Sequence, residues 1–156
     1  MIRRLATFIS SAGGVGYAPF APGTWGTLVG CIILYVLSTY VVGFSSFWPL
    51  IVLTIVVSII SHQLIAFLPD TWIHDDGKIV IDEVVGLWVT LLYLPLTLSN
   101  IILAFVLFRV FDIWKPLGIR WFDQLKSNWG VIADDIVAGI YANIALRGVI
   151  LFLAWI

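Results

Sequence analysis

The sequence predicts an all-α, membrane-embedded bundle of about five apolar helices, with a short interfacial helix at the N-terminus. Three observations predict it. Of 156 residues, 62% are hydrophobic and 11% charged, against ~45–50% and ~25% in a typical soluble domain. Mean hydropathy is +1.10. The charges are also segregated: residues 5–69 and 84–108 carry none, and most of the rest fall between Asp70 and Asp135. The length suits a single domain over 1–156.

The elements follow in order. Residues 2–11 read as an amphipathic or interfacial helix. Arg3 and Arg4 precede an apolar stretch, but no signal-peptide core develops before the Gly/Pro-rich segment, so this helix is expected to stay. Residues 12–26 read as a turn-rich loop, with Thr24 or Gly23 placed to cap the helix that follows. Apolar helices are expected over 27–42 and 47–68. At ~1.5 Å per residue the second can cross a ~30 Å hydrocarbon core, and the first is short by a turn. Residues 69–77 form a polar loop. A third helix over 78–94 stops at Pro95, and a fourth over 99–115 stops at Pro116. Both are short for crossing, so they either span or are partly re-entrant and packed inside the bundle. Residues 117–133 mix Trp, Arg, Asp, Lys and Asn, as an interfacial segment should. The last helix is expected over 134–156, with two acids in its first turn, where they favour the macrodipole.

Loop charge orients the bundle. The segments at 43–46 and 95–100 are uncharged, whereas Arg3, Arg4, Lys78, Lys115, Arg120 and Lys126 fall on the alternate connections. The positive-inside rule places those connections in the cytoplasm, and with them every acidic cluster. Five crossings would leave the C-terminus outside. A net charge of -1 gives no reason to expect nucleic acid as partner, and the single Cys31 excludes an intrachain disulfide or a cysteine metal site.

The chemistry-bearing residues gather in that charged window. Asp82 and Glu83 open the third helix, with Gly86 one turn on, where it lets another helix approach closely. Asp134 and Asp135 are likewise followed by Ala138 and Gly139. Acids are ordinary in first turns, but two such patterns in one short membrane chain point to a site. Arg109, Asp112 and Lys115, at i, i+3 and i+6, share one side of the fourth helix. Either they form a structural ion pair with a lysine reaching the interface, or Arg109 and Lys115 hold phosphate oxygens while Asp112 holds a metal or orients Arg109. Gly13-Gly14-Val15-Gly16 and Pro22-Gly23-Thr24 offer backbone N–H groups to an anion, but the Gly-Lys-Ser/Thr element of a P-loop is missing, and a structural turn is the plainer reading. His74 and Asp75 read as a loop hydrogen bond and His62 as a packed polar residue. Arg147 is expected to reach the far interface or pair within the bundle. No cysteine-phosphatase loop, Asp-x-Asp motif or placed histidine nucleophile is present. What remains is a carboxylate-bound divalent metal, an activated water and cationic phosphate clamps.

Four stretches then carry a resemblance. Ala21-Pro22-Gly23-Thr24-Trp25-Gly26-Thr27 is the first and His74-Asp75-Asp76-Gly77-Lys78-Ile79-Val80-Ile81-Asp82-Glu83-Val84-Val85-Gly86 the second. Phe108-Arg109-Val110-Phe111-Asp112-Ile113-Trp114-Lys115-Pro116 and Asp134-Asp135-Ile136-Val137-Ala138-Gly139 follow. Together, and in this order, they resemble the phosphatidylglycerophosphatase A family over about residues 13–139. The resemblance implies an all-helical fold and Mg²⁺-dependent removal of the terminal phosphate from phosphatidylglycerophosphate at the bacterial inner membrane. It also supports Asp82, Glu83, Asp112, Asp134 and Asp135 as catalytic and metal-binding residues, with Thr24, Arg109 and Lys115 binding substrate. The chain departs from the family at Ser127-Asn128-Trp129-Gly130, where a Gly-Gly pair is expected. A transporter or ion pathway built on Arg109 and Asp112 is the rival reading; it requires charges spread through the bilayer depth.

Overall fold

The computed structural model describes residues 1–44, 47–69, 71–72, 77–116, 118–119 and 129–155. Among these there are six α-helices and no strand: α1 Ile2–Ser10, α2 Pro22–Tyr40, α3 Phe47–Ile65, α4 Ile81–Thr90, α5 Leu98–Trp114 and α6 Gly130–Trp155. A single 3₁₀ turn, Val15–Tyr17, follows α1. The all-α expectation therefore holds. The expectations for His74, Asp75, Arg120, Lys126 and the Ser127–Asn128 pair lie outside the described residues.

The helix boundaries bear on three expectations. First, α2 starts at Pro22, five residues early, because Pro at the first helical position needs no N–H partner. Ala21 (φ 46) takes the N-cap position, so neither Gly23 nor Thr24 caps; both lie in the first turn. Second, α6 starts at Gly130, so Asp134 and Asp135 fall in its second turn, not its first. Third, the apolar helices differ in reach. Three helices, α2, α3 and α6, are long and apolar enough to cross a membrane. The ten-residue α4 rises only ~15 Å, half a hydrocarbon core. The 17-residue α5 rises ~25 Å, so α4 is the short one of the pair.

α4 sits at the centre, packed by α6, α2, α3 and α5. Nine of its ten residues are buried. Glycines make this possible. A β-carbon on Gly139 would overlap the Gly86 carbonyl oxygen, and one on Gly86 would lie 2.5 Å from the Phe108 ring and 2.7 Å from the Asp135 carbonyl oxygen. These backbones touch because neither helix carries a side chain at the crossing. On the other flank the Trp88 indole N–H donates to the Gly30 carbonyl at 3.2 Å.

The long helices are inverted relative to a soluble bundle. Thr27, Thr54 and Ser58 are buried and return their hydroxyls to carbonyls one turn back, at 2.7–2.8 Å. Ile32, Ile55, Ile102, Ile144 and Leu151 are exposed. This suits a lipid solvent, where the outer face gains nothing from being polar.

The C-terminal end of α4 lies within the bundle, where its last carbonyls lack water. Asn143 and Arg147 of α6 supply the donors. Asn143 Nδ2 donates to the carbonyls of Thr90 and Leu92 at 2.8 and 3.0 Å, and Arg147 Nη2 donates to Leu92 at 3.0 Å. Arg147 thus pairs within the bundle, and its charge meets the negative end of the α4 dipole. His62 is packed as expected, stacked 4.2 Å from the Trp129 ring.

Candidate metal and phosphate site

The site lies where the first turns of α2 and α4, the last turns of α5 and the second turn of α6 converge. Asp82 and Glu83 sit in the first turn of α4, where carboxylates face its positive end. The Val80 amide donates to the Ser10 carbonyl at 2.9 Å, so the N-terminal segment ties down the approach to this turn.

Three of the five expected acids form one group. Oxygens of Asp82, Glu83 and Asp135 all lie within 4.8 Å of one another, and Asp82 and Asp135 are each only 4% exposed. The other two acids are ion-paired. Asp112 Oδ2 accepts from Arg109 Nη1 at 2.5 Å, while its carboxyl also meets that of Asp135. Asp134 Oδ2 accepts from Lys115 Nζ at 2.8 Å, across the gap between α5 and α6. Lys115 closes α5 in the left-handed conformation (φ 44), a strain of ~1–3 kcal/mol of the sort that collects at functional sites.

Crowded carboxylates out of water resist ionising together. Outside the three long helices, burial pushes the Asp82 carboxyl well above the usual range, helped by Glu83, Asp135 and Asp134. Burial also raises Glu83, against the opposing pull of its bond to Asp82 and of Arg109. A divalent cation removes this conflict. Of six buried side-chain polar atoms without a hydrogen-bond partner among the described residues, three belong to this site: Glu83 Oε2, Asp135 Oδ1 and Arg109 Nε. Such atoms are costly to leave unmet. Two are oxygens on the acidic group, as a bound cation would require, and one is a guanidinium N–H, as an anion would require. The all-oxygen donor set suits a hard cation such as Mg²⁺.

Gly23, a turn, cap or N–H donor by its sequence, belongs to the site for a different reason. Gly23 lies directly against it: a β-carbon there would overlap Glu83 Oε1 and come within 3.2 Å of Arg109 Nη1. Its neighbour Thr24 is half-buried in the same turn. The signal was the glycine inside Pro22-Gly23-Thr24, which was read for its N–H and not for its missing side chain.

The family model described as phosphatidylglycerophosphatase A matches residues 8–150, which include every residue of this site. The chain belongs to the phosphatidylglycerophosphatase A family. It is therefore a lipid phosphatase. The chain is 39% identical over 134 residues to phosphatidylglycerophosphatase A of Escherichia coli, covering 81% of this chain and 73% of the relative. It is 39% identical over 135 residues to the Haemophilus influenzae protein of the same name, covering 85% and 81%. A Bacteroides thetaiotaomicron relative, provisionally named phosphatidylinositol-3-phosphatase, is 36% identical over 148 residues, 91% of each chain. No solved structure matches. Within this family frame, the site joins buried acids to two cations at one end of a membrane bundle.

Proposed function

We propose that this chain hydrolyses the terminal phosphate of phosphatidylglycerophosphate, with Mg²⁺, to give phosphatidylglycerol and inorganic phosphate. The observation that carries the reading is the pairing of opposite needs in one buried place. Oxygens of Asp82, Glu83 and Asp135 converge, two of them unmet, beside an unmet guanidinium N–H of Arg109. Asp82, Glu83 and Asp135 would hold the ion, with Asp112 and Asp134 behind them. Bound there, Mg²⁺ supplies Lewis acidity toward the phosphoryl group and lowers the pKa of a water.

The remaining work falls to the chain's own groups. Arg109 offers its planar fork to phosphoryl oxygens. Asp112 holds that guanidinium in place through the 2.5 Å bond. Lys115, tethered by Asp134, adds a second positive charge as negative charge develops on the departing group. A buried carboxylate takes the proton of the attacking water. The bond broken joins the terminal phosphorus to the glycerol oxygen, which leaves as the alcohol of phosphatidylglycerol.

Arg3, Arg4, Lys78 and Lys115 support a cytoplasmic site in a bacterial inner membrane by the positive-inside rule. The transporter reading is less well supported. Among the described residues the buried acids gather at one end, and Arg147, toward the other end of α6, is engaged by the carbonyls after α4.

The test is phosphate release from purified protein in mixed micelles, with and without Mg²⁺. Phosphatidylinositol 3-phosphate, prompted by the name of one relative, serves as the comparison substrate. Mg²⁺ at ~100 times its Kd should also stabilise the fold by ~2.7 kcal/mol, raising Tm, and Asp82→Asn or Asp135→Asn should abolish both the shift and most turnover. Wild-type turnover in both variants at limiting Mg²⁺ would overturn the metal assignment. Preferential turnover of the inositol lipid would overturn the substrate.

A further inference from the structure

The cleft between α2 and α5 is unexplained by phosphate chemistry. It is a groove of about 300 Å³ lined by Leu28, Cys31 and Tyr35 of α2 and Leu98, Ile102 and Phe105 of α5, among other apolar residues, with no charged residue. On each helix these positions follow the i, i+3/i+4, i+7 spacing of a single face. A second hollow shares Phe105 and runs over Val106 to Arg109, Ile113 and Trp114. The two share Phe105 and form one largely apolar strip that reaches Arg109 of the candidate site.

We propose that this strip seats an acyl chain of the substrate lipid while its terminal phosphate lies at Arg109. The proposal rests on the lipid phosphatase reading above and extends it to the hydrophobic end of the substrate. The helices run antiparallel, because Gly23 at the start of α2 lies beside Arg109 near the end of α5. Along α5, Phe105 lies four residues from Arg109 and Leu98 eleven, or about 6 and 16 Å at the helical rise. The apolar lining thus starts about one turn from the phosphate clamp and continues toward the middle of the bundle. That is the order of parts in the substrate: phosphate, polar glycerol linkage, then hydrocarbon. Ile113 and Trp114 are 72% and 70% exposed, and Trp114 suits the headgroup level, where an indole finds both apolar and polar surroundings. Bulk lipid can cover any outer face of the bundle, but the Phe105 connection leads from this groove to the site.

Two measurements test this. In the first, a diacyl lipid phosphomonoester carrying a mid-chain diazirine is photolysed with the full chain in mixed micelles, and the adducts are mapped by mass spectrometry. Labelling is expected on the 28–35 and 98–105 stretches, suppressed by excess unlabelled phosphatidylglycerophosphate and not by phosphatidylcholine. Uncompeted labelling spread over α3 and α6 would mean bulk lipid only and would overturn the proposal. In the second, Cys31→Phe and Ile102→Trp fill the groove. Each should raise KM for diacyl substrate by ~10-fold or more while leaving turnover of the deacylated headgroup, glycerophosphoglycerophosphate, within about twofold, since a few excluded methylenes are worth that much in an apolar pocket. Ile55→Trp, on the exposed face of α3, is the control and should change neither. Equal loss on both substrates, or no loss on the diacyl lipid, refutes the groove. Competed crosslinking without any turnover would instead sink the phosphatase reading and leave the groove standing.

Discussion

Gly23→Ala is the sharpest test of the site, because it adds one carbon and changes no charge. A β-carbon there would overlap Glu83 Oε1 and lie 3.1 Å from Glu83 Cδ and 3.2 Å from Arg109 Nη1. Ordinary contact begins near 3.4 Å, so the carboxylate must retreat by about 1 Å in a close-packed setting. A misplacement of ~1 Å in a catalytic constellation can cost ~10²-fold in rate. We therefore expect kcat/KM to fall ~100-fold, equivalent to ~2.7 kcal/mol at ~1.36 kcal/mol per decade. Stability should move much less. Alanine is the better helix former by ~1 kcal/mol, which offsets part of the overlap in the first turn of α2. Phosphate release and Tm are measured on one preparation in mixed micelles. Gly148→Ala, where nothing lies within 4 Å of the added carbon, is the control and should keep full activity with equal or higher Tm. Gly23→Ala with kcat/KM within about threefold of wild type would refute the placement of Glu83 and Arg109 against α2.

Other predictions follow from the same geometry. Arg109→Lys should keep the fold and lower kcat/KM by ~10²-fold, because an ammonium cannot both bond Asp112 and offer a planar fork to phosphate. Lys115→Arg should be milder, and normal kinetics with a lowered Tm in Arg109→Lys would assign Arg109 to structure alone. Gly86→Ala and Gly139→Ala each force apart α4 and α6 and should cost ~1–3 kcal/mol by overpacking, read as a lower Tm in detergent; an unchanged Tm would refute the close crossing. In a Cys31→Ser background, Val42→Cys should react with an impermeant maleimide in intact cells, and Gly77→Cys, which lies by Pro22 on the site's side, only after permeabilisation. The reverse pattern would invert the orientation.

Much of the site was legible because its chemistry is local. Asp82 and Glu83 begin a helix, Arg109, Asp112 and Lys115 repeat at helical spacing, and charges in so apolar a chain are too costly to be scattered. The paired Gly86 and Gly139 were legible for the same reason: a small residue one turn from an acid marks a face that something must approach. Sequence order and loop charge also placed all these residues at one end.

Division of labour within that cluster was not legible. Spacing along α5 cannot say that Asp112 bonds Arg109 while meeting Asp135, nor that Asp134 ties Lys115 and leaves Asp135 with Asp82 and Glu83. Apart from the Arg109–Asp112 pair within α5, those partners lie on different helices, and their choice depends on crossing angle and rotation. Helix ends were equally open. Pro22-Gly23-Thr24-Trp25-Gly26 reads as a turn, so only the structure shows α2 beginning at Pro22 after Ala21, which puts Gly23 against Glu83.

Composition and charge order alone determined that this chain is helical, membrane-embedded and acidic at one end, because an apolar solvent demands satisfied backbones and groups charges wherever they can be met. The tertiary structure decided where the helices begin and end and which acids share one group, and it placed Arg147 against the carbonyls at the end of α4. Those outcomes depend on close contacts between segments far apart in the chain, and the glycines at the crossings set how near such segments can come.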